Sequence, residues 1–166
     1  MARCFVSLRP PSHVVEAVAA ECRGEQRGLR WSRPADHHVT LRFFADVDPG
    51  QLIEAVGAVE HEPVDVRGGP ALLEIFEGVV ALPITGADPL AGSVLDATGH
   101  LASFERPFRG HLTVGRLAAP AVGTFVPRPC VVAWRAESLL VVESRPVAGR
   151  HDHITLAELP LSTGAG

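Results

Sequence analysis

The chain has 166 residues, 46% of them hydrophobic and 20% charged, with a formal net charge of −4; this is one domain's worth of sequence, long enough to bury a core. All 15 basic residues are arginine and tyrosine is absent, which excludes a P-loop lysine, a Schiff-base lysine, the nucleotide-carrying lysine of ATP-dependent ligases and any phenolic acid or nucleophile. The acidic balance also excludes a long basic nucleic-acid footprint, so an RNA partner would be held locally, at an end.

In chain order, Arg3–Leu8 alternates and predicts a strand. Pro10-Pro11-Ser12 stops it and starts a helix from His13 to about Glu25, with Val14, Val15, Val18, Ala19 and Cys22 at helical spacing. Trp31–Pro34 is a short extended piece, and His37–Ala45 a strong strand. Asp48-Pro49-Gly50 caps a second helix running to about Glu60. Val64–Thr85 divides into two or three strands at Gly68-Gly69-Pro70 and Glu77-Gly78. A third helix follows from about Pro89 to Phe104, then a strand at Phe108–Leu117 and a loop at Pro120–Pro129. Val131–Glu143 and His153–Leu159 are closing strands, and Ser162–Gly166 is a loose tail. The order is α+β, mainly antiparallel, with helices outside the sheet.

No apolar run approaches the length of a membrane helix, and the N-terminus reads as a strand rather than a signal peptide. Cys4, Cys22 and Cys130 are odd in number and far apart, which suits neither a disulfide framework nor a zinc motif. A cytoplasmic location follows as the expectation.

One pattern recurs. His38-Val39-Thr40-Leu41 and His111-Leu112-Thr113-Val114 both read His-x-Thr-apolar, on strands in separate halves of the chain. Residues two apart on a strand share a face, so His38 and Thr40 face one way while Val39, Leu41 and Phe43 face the core. The same register separates His38 from His37 and places His111 with Thr113. Two such strands across a cleft would supply phosphodiester chemistry. With unperturbed pKa values near 6.5, one imidazole can be neutral and the other protonated, while the threonine hydroxyls donate to phosphate oxygens. Arg116 could hold a phosphate, if its face of the strand is the same. A third copy, His153-Ile154-Thr155-Leu156, leaves the pairing open on spacing alone, and His151 with His153 could instead contribute to a metal site.

His38–Phe44 and Arg106–Arg116 resemble the two signature strands of the two-histidine phosphoesterases, nearest the bacterial RNA 2′,3′-cyclic phosphodiesterases, also called 2′-5′ RNA ligases. Arg3–Leu8, Leu29-Arg30-Trp31 and the end of the chain from Ser144-Arg145 to Leu159-Pro160-Leu161 are similar too, so the resemblance covers nearly the whole chain. It implies a single bilobal domain over residues 1–161, with 162–166 as the tail. Its two antiparallel sheets would be related by a pseudo-twofold axis, with outer helices and a central cleft carrying the motifs.

The resemblance further implies metal-independent hydrolysis of RNA 2′,3′-cyclic phosphate ends to a 2′-phosphate, with no cofactor, and reversible 2′-5′ ligation in some members. His38 would be the general acid and His111 the base. Thr40, Thr113 and Arg116 would bind the phosphate. The partner would be an RNA 3′ end or a small cyclic nucleotide, and the protein a monomer. Two departures stand out. His153 lies where the family often has a tyrosine, which places it at the cleft edge or surface. Leu72–Ile84 lacks the family's Pro- and Trp-containing pattern. The alternatives are a phosphodiesterase for a small cyclic nucleotide or cyclic sugar phosphate, and a non-catalytic RNA-end-binding module.

Overall fold

A computed structural model describes residues 1–101 and 106–164. In chain order the elements are β1 (Ala2–Leu8), α1 (Ser12–Glu21), β2 (Leu29–Trp31), β3 (Val39–Val47), α2 (Pro49–Gly57), β4 (Val64–Gly68), β5 (Ala71–Phe76), β6 (Val79–Thr85), α3 (Asp88–Thr98), β7 (His111–Leu117), β8 (Arg128–Pro129), β9 (Val132–Ala136), β10 (Ser138–Val147) and β11 (Arg150–Pro160). Local chemistry sets several of these limits. Asp48 caps α2, its Oδ1 accepting from the amide of Gln51 at 2.9 Å, as an N-cap aspartate does. That helix ends before Glu60 because the amides of Ala58 and Val59 turn back to Ala55 and Val56, three residues earlier. The first helix stops at Glu21, short of Glu25, ahead of Gly24 with its φ of +83°.

Three other expectations are corrected. The strand expected from His37 begins at Val39, because the His37 amide closes a 3₁₀ turn at Pro34–Asp36 by donating to the Pro34 carbonyl. The Pro120–Pro129 loop is not all loop: Arg128 and Pro129 pair with Leu72 and Ala71. The closing region holds three strands, since Val131–Glu143 breaks at Glu137 and β10 with β11 forms one long hairpin. The third helix ends at Thr98 and continues as a 3₁₀ turn to Leu101; its expected end at Phe104, like tail residues 165–166, lies outside the described residues.

All strand pairs are antiparallel, and the hydrogen-bonded path runs β11-β10-β1-β3-β7-β6-β4-β9, with β2 on β7 and β5 on β6 as side branches. The path has two halves. In each, a helix lies on the connection between two neighbouring strands: α1, followed by the short β2, between β1 and β3, and α3 between β6 and β7. Where the halves meet, β3 and β7 pair at one position, Val39 with Leu112. The two expected sheets are thus joined into one at a narrow seam.

Burial, not the ladder, holds the seam. One apolar cluster runs beneath both halves, from Val6, Val39 and Leu52 to Leu82, Val94 and Leu112. The helices also cross over. The first packs against β9 of the other half, and the third against β3. The buried guanidinium of Arg42 ties that second crossing, donating from Nη1 to the Leu95 carbonyl at 3.0 Å and to Thr98 Oγ1 at 2.9 Å. Arg128 ties the first, donating to the Glu21 and Arg23 carbonyls.

Each seam strand carries a β-bulge at the same place in its motif. On β3, Ser7 faces Thr40 but the next residue back, Val6, faces Arg42. On β7, Ala81 faces Thr113 but Val80 faces Gly115. Leu41 and Val114 are therefore extra residues, and beyond them the alternation flips. Phe43, expected in the core, is instead on the histidine face and 44% exposed, while Arg42 turns inward. In the other half, Gly115 takes the inward place, where a Cβ would lie 3.2 Å from the Arg30 carbonyl, and Arg116 comes to the histidine face.

Gly110, just before His111, is required for close approach, because a Cβ there would run into the carbonyl of Ile84. Gly110→Ala should destabilise the fold by about 1–3 kcal/mol, read as a lowered melting temperature. A fully stable variant would show that the strand before His111 shifts freely.

Candidate active site

Each motif histidine precedes the seam pair by one residue: His38 before Val39 and His111 before Leu112. Since Val39 and Leu112 point into the core, the histidines and the threonines that follow lie together on the opposite face. There His38, Thr40, His111 and Thr113 are all partly buried, and the charge of His111 is felt at His38. Arg116 shares this face, opposite Arg30 of β2.

The two rings are anchored in the same way. His38 Nδ1 lies 2.6 Å from the Asp36 carbonyl, and His111 Nδ1 lies 2.7 Å from the Arg109 carbonyl, two residues back in both cases. A carbonyl only accepts, so Nδ1 carries the proton of each neutral ring and Nε2 is its acceptor nitrogen. An aromatic ring supports each imidazole. Phe5 stacks on His38 with centroids 4.7 Å apart, and Phe76 meets His111 edge-on at 5.0 Å.

The surroundings then diverge. Burial pushes His38 down to about 4, against the pull of the Asp36 carbonyl, and the positive fields of His153 and His111 add to the drop. His153, on β11, stands edge-on to His38 at 5.4 Å and to Phe5 at 5.1 Å, with Nδ1 3.9 Å from Asp36 Oδ1. Its own pKa is lowered, first by burial. His151, two residues back on the same strand, has Nδ1 3.2 Å from Ser144 Oγ. Among the described residues no group of three or more His, Cys, Asp or Glu is placed to hold a metal ion. His37 faces inward as the register requires. It is 3% exposed, neither ring nitrogen has a hydrogen-bond partner among the described residues, and burial lowers its pKa.

Sequence patterns did not single out Phe5, Phe76 or Asp36. Phe5 and Phe76 look like ordinary strand residues, and Asp36 acts through its backbone carbonyl, which any residue supplies. The available signal was position: Phe5 and Ser7 alternate with the core residues Cys4, Val6 and Leu8, which puts them on the motif face.

Residues 8–68, which contain the first His-x-Thr strand, match the family model described as LigT-like phosphoesterase. No protein of curated function matches the chain by sequence. The fold matches TT0787 of Thermus thermophilus at 19% identity, covering 98% of this chain and 100% of that one, with a TM-score of 0.81. It also matches E. coli LigT in complexes with NADP+ (19% identity, 98% of both chains, TM-score 0.80) and with 3′-AMP (21%, 98% and 99%, 0.80). At these identities the structural likeness is one of fold. The resemblance is borne out: residues 8–68 match the phosphoesterase family model, and 98% of the chain shares the fold of TT0787 and E. coli LigT.

Two outcomes follow from the buried imidazoles. Replacing His153 with glutamine removes a positive neighbour, so His38 should titrate at higher pH than in wild type, followed by NMR of its ring protons; an unmoved titration would mean that His153 does not act on His38. Because His37, His38 and His153 are held below the unfolded value of 6.5, the unfolded chain takes up protons that the folded chain refuses. Stability is therefore full above pH 6.5 and falls as the pH drops from there towards about 4. Thermal melts should show this slope, and His37→Phe should flatten it.

Proposed function

We propose that the protein is a metal-independent phosphodiesterase that opens the 2′,3′-cyclic phosphate at an RNA end. The observation that carries this reading is the paired anchoring: two imidazoles, each pinned at Nδ1 by a carbonyl two residues back, each two residues before a threonine on the same face of the seam. General acid–base transfer across a phosphate requires such a pair. The match to the LigT-like phosphoesterase family model supports it, as does the fold shared with a LigT solved with 3′-AMP.

In this reading the cyclic phosphate sits between the rings, with Thr40 and Thr113 donating to its non-bridging oxygens and Arg116 adding positive charge on the same face. His111 takes a proton from water as its oxygen bonds to phosphorus. The bond from phosphorus to the ribose 3′-oxygen breaks, and His38 gives that oxygen a proton, leaving a 2′-phosphate. With an RNA 5′-hydroxyl in place of water, the same transfers make a 2′-5′ linkage. Burial favours the neutral ring of His38, so the acid role requires that ring to take up a proton from solvent as the anionic phosphate binds: an anion beside the ring favours the charged form. The net charge of −4 favours a second substrate, a small cyclic nucleotide, over long RNA.

Phosphorus NMR of a short RNA ending in a 2′,3′-cyclic phosphate, with chelator present, should show conversion to a 2′-phosphate by wild type. His38→Ala and His111→Ala should each lose about 10²–10⁴-fold in rate. An inert wild-type protein would end the RNA reading, and a small cyclic nucleotide run in parallel tests the second substrate. Calorimetry of 3′-AMP binding in buffers of different ionisation enthalpy, at about pH 6, should show net proton uptake; its absence would move the acid role from His38 to His111.

A further inference from the structure

The proposed reaction leaves a large cavity without a ligand. It lies on the first-half side of His38, does not reach His111, and has a volume of about 440 Å³, within the range of small-ligand sites. Its wall includes Arg9, Arg33, Arg150, Asp36, Asp152 and His153.

The charges on this wall do not cancel. Arg33 is bound to Asp36, Nε to Oδ2 at 2.8 Å, and Arg150 to Asp152, Nε to Oδ1 at 3.2 Å. Arg9 donates from Nη2 to Thr155 Oγ1 at 2.8 Å and meets no carboxylate within salt-bridge distance among the described residues. A guanidinium has five N–H donors and a hydroxyl occupies one. With the three lining histidines, His37, His38 and His153, neutral, the cavity carries one net positive charge and a fork of unused donors. A phosphodiester, with one negative charge and two free oxygens, matches both. Arg9 also follows directly on Leu8, which pairs with Val39, so this charge stands at the strand end beside His38. The other half has Pro83 at the corresponding place, after Leu82 opposite Leu112, and offers no such cation.

Building on the function proposed above, we propose that this cavity is a subsite for the phosphodiester of the nucleotide adjoining the cyclic phosphate, with Arg9 as its cation. The substrate class is then an oligonucleotide end rather than a free nucleoside cyclic phosphate, and the contact is one phosphate deep, as an acidic protein without lysine allows.

The test compares kcat/KM for adenosine 2′,3′-cyclic phosphate and for the dinucleotide ApA ending in the same group. Wild type should prefer the dinucleotide by about tenfold or more, the factor that one charge-assisted contact of about 1.4 kcal/mol supplies. Arg9→Gln should bring the ratio close to one, and Arg9→Lys should restore part of it, since charge returns without the fork. A wild-type ratio near one, or a ratio that Arg9→Gln leaves in place, overturns the subsite. If wild type turns over neither compound, the hydrolytic reading fails by itself. Calorimetric binding of 3′-phosphorylated ApA against 3′-AMP, in wild type and Arg9→Gln, then decides the subsite alone: the dinucleotide must bind more tightly, and only in wild type.

Discussion

The pairing of Val39 with Leu112 is the constraint from which the site follows. It is one residue pair wide, yet it fixes the register of two strands at once. Every side chain that faces the cleft inherits its position from it. Because the paired residues point into the core, the histidines before them and the threonines after them must point out. One pair cannot carry the load between two half-sheets, and it does not. The apolar cluster below is continuous, and the crossing helices carry the remainder, with Arg42 and Arg128 bonding across to chain segments of the opposite half. The surface layer of the seam is therefore free to be polar.

The two halves share a backbone plan and differ in what hangs from it. The carbonyl that pins His38 belongs to an aspartate, and the one that pins His111 to an arginine. The threonine of the first motif faces Ser7, and that of the second faces Ala81. The bulge turns out a phenylalanine in one half and an arginine in the other. Beside His38, the β10–β11 hairpin adds a wall and a third imidazole; His111 has Phe76 and the Arg109 guanidinium stacked on that ring at 4.8 Å. A repeated strand thus carries two histidines in unlike surroundings.

Much of this was legible in the sequence, because alternation is a property of side chains. Val39, Leu41, Leu112 and Val114 announced the inward face, and they separated His38 from His37. The bulges were not legible. A bulge is an extra residue relative to a partner strand, and a chain read alone has no partner to count against. Phe43 was misplaced for that reason, and the face of Arg116 stayed open. Arg42 held the one clue, a charge at a position that strict alternation would send outward and that the bulge sends in. The break at Glu137 and the edge pairing at Arg128 were hidden in the same way, since both depend on distant segments. The place of His153 against His38 depends on the β10–β11 register, which joins residues with no local sequence relation.

The helix crossing has a consequence for how the chain can be divided. Each half looks like a repeat of the other, but each carries on its underside a helix that follows a strand of its twin. A break between α2 and β4 would leave α1 attached to the first fragment without the β9 surface it covers, and α3 attached to the second without β3. Neither fragment would close its own apolar face, while the two together would hold every contact. Both ends of the polypeptide meet in the first half, where β1 pairs with β10 as well as β3, so the wall beside His38 is built from the start and the end of the chain together.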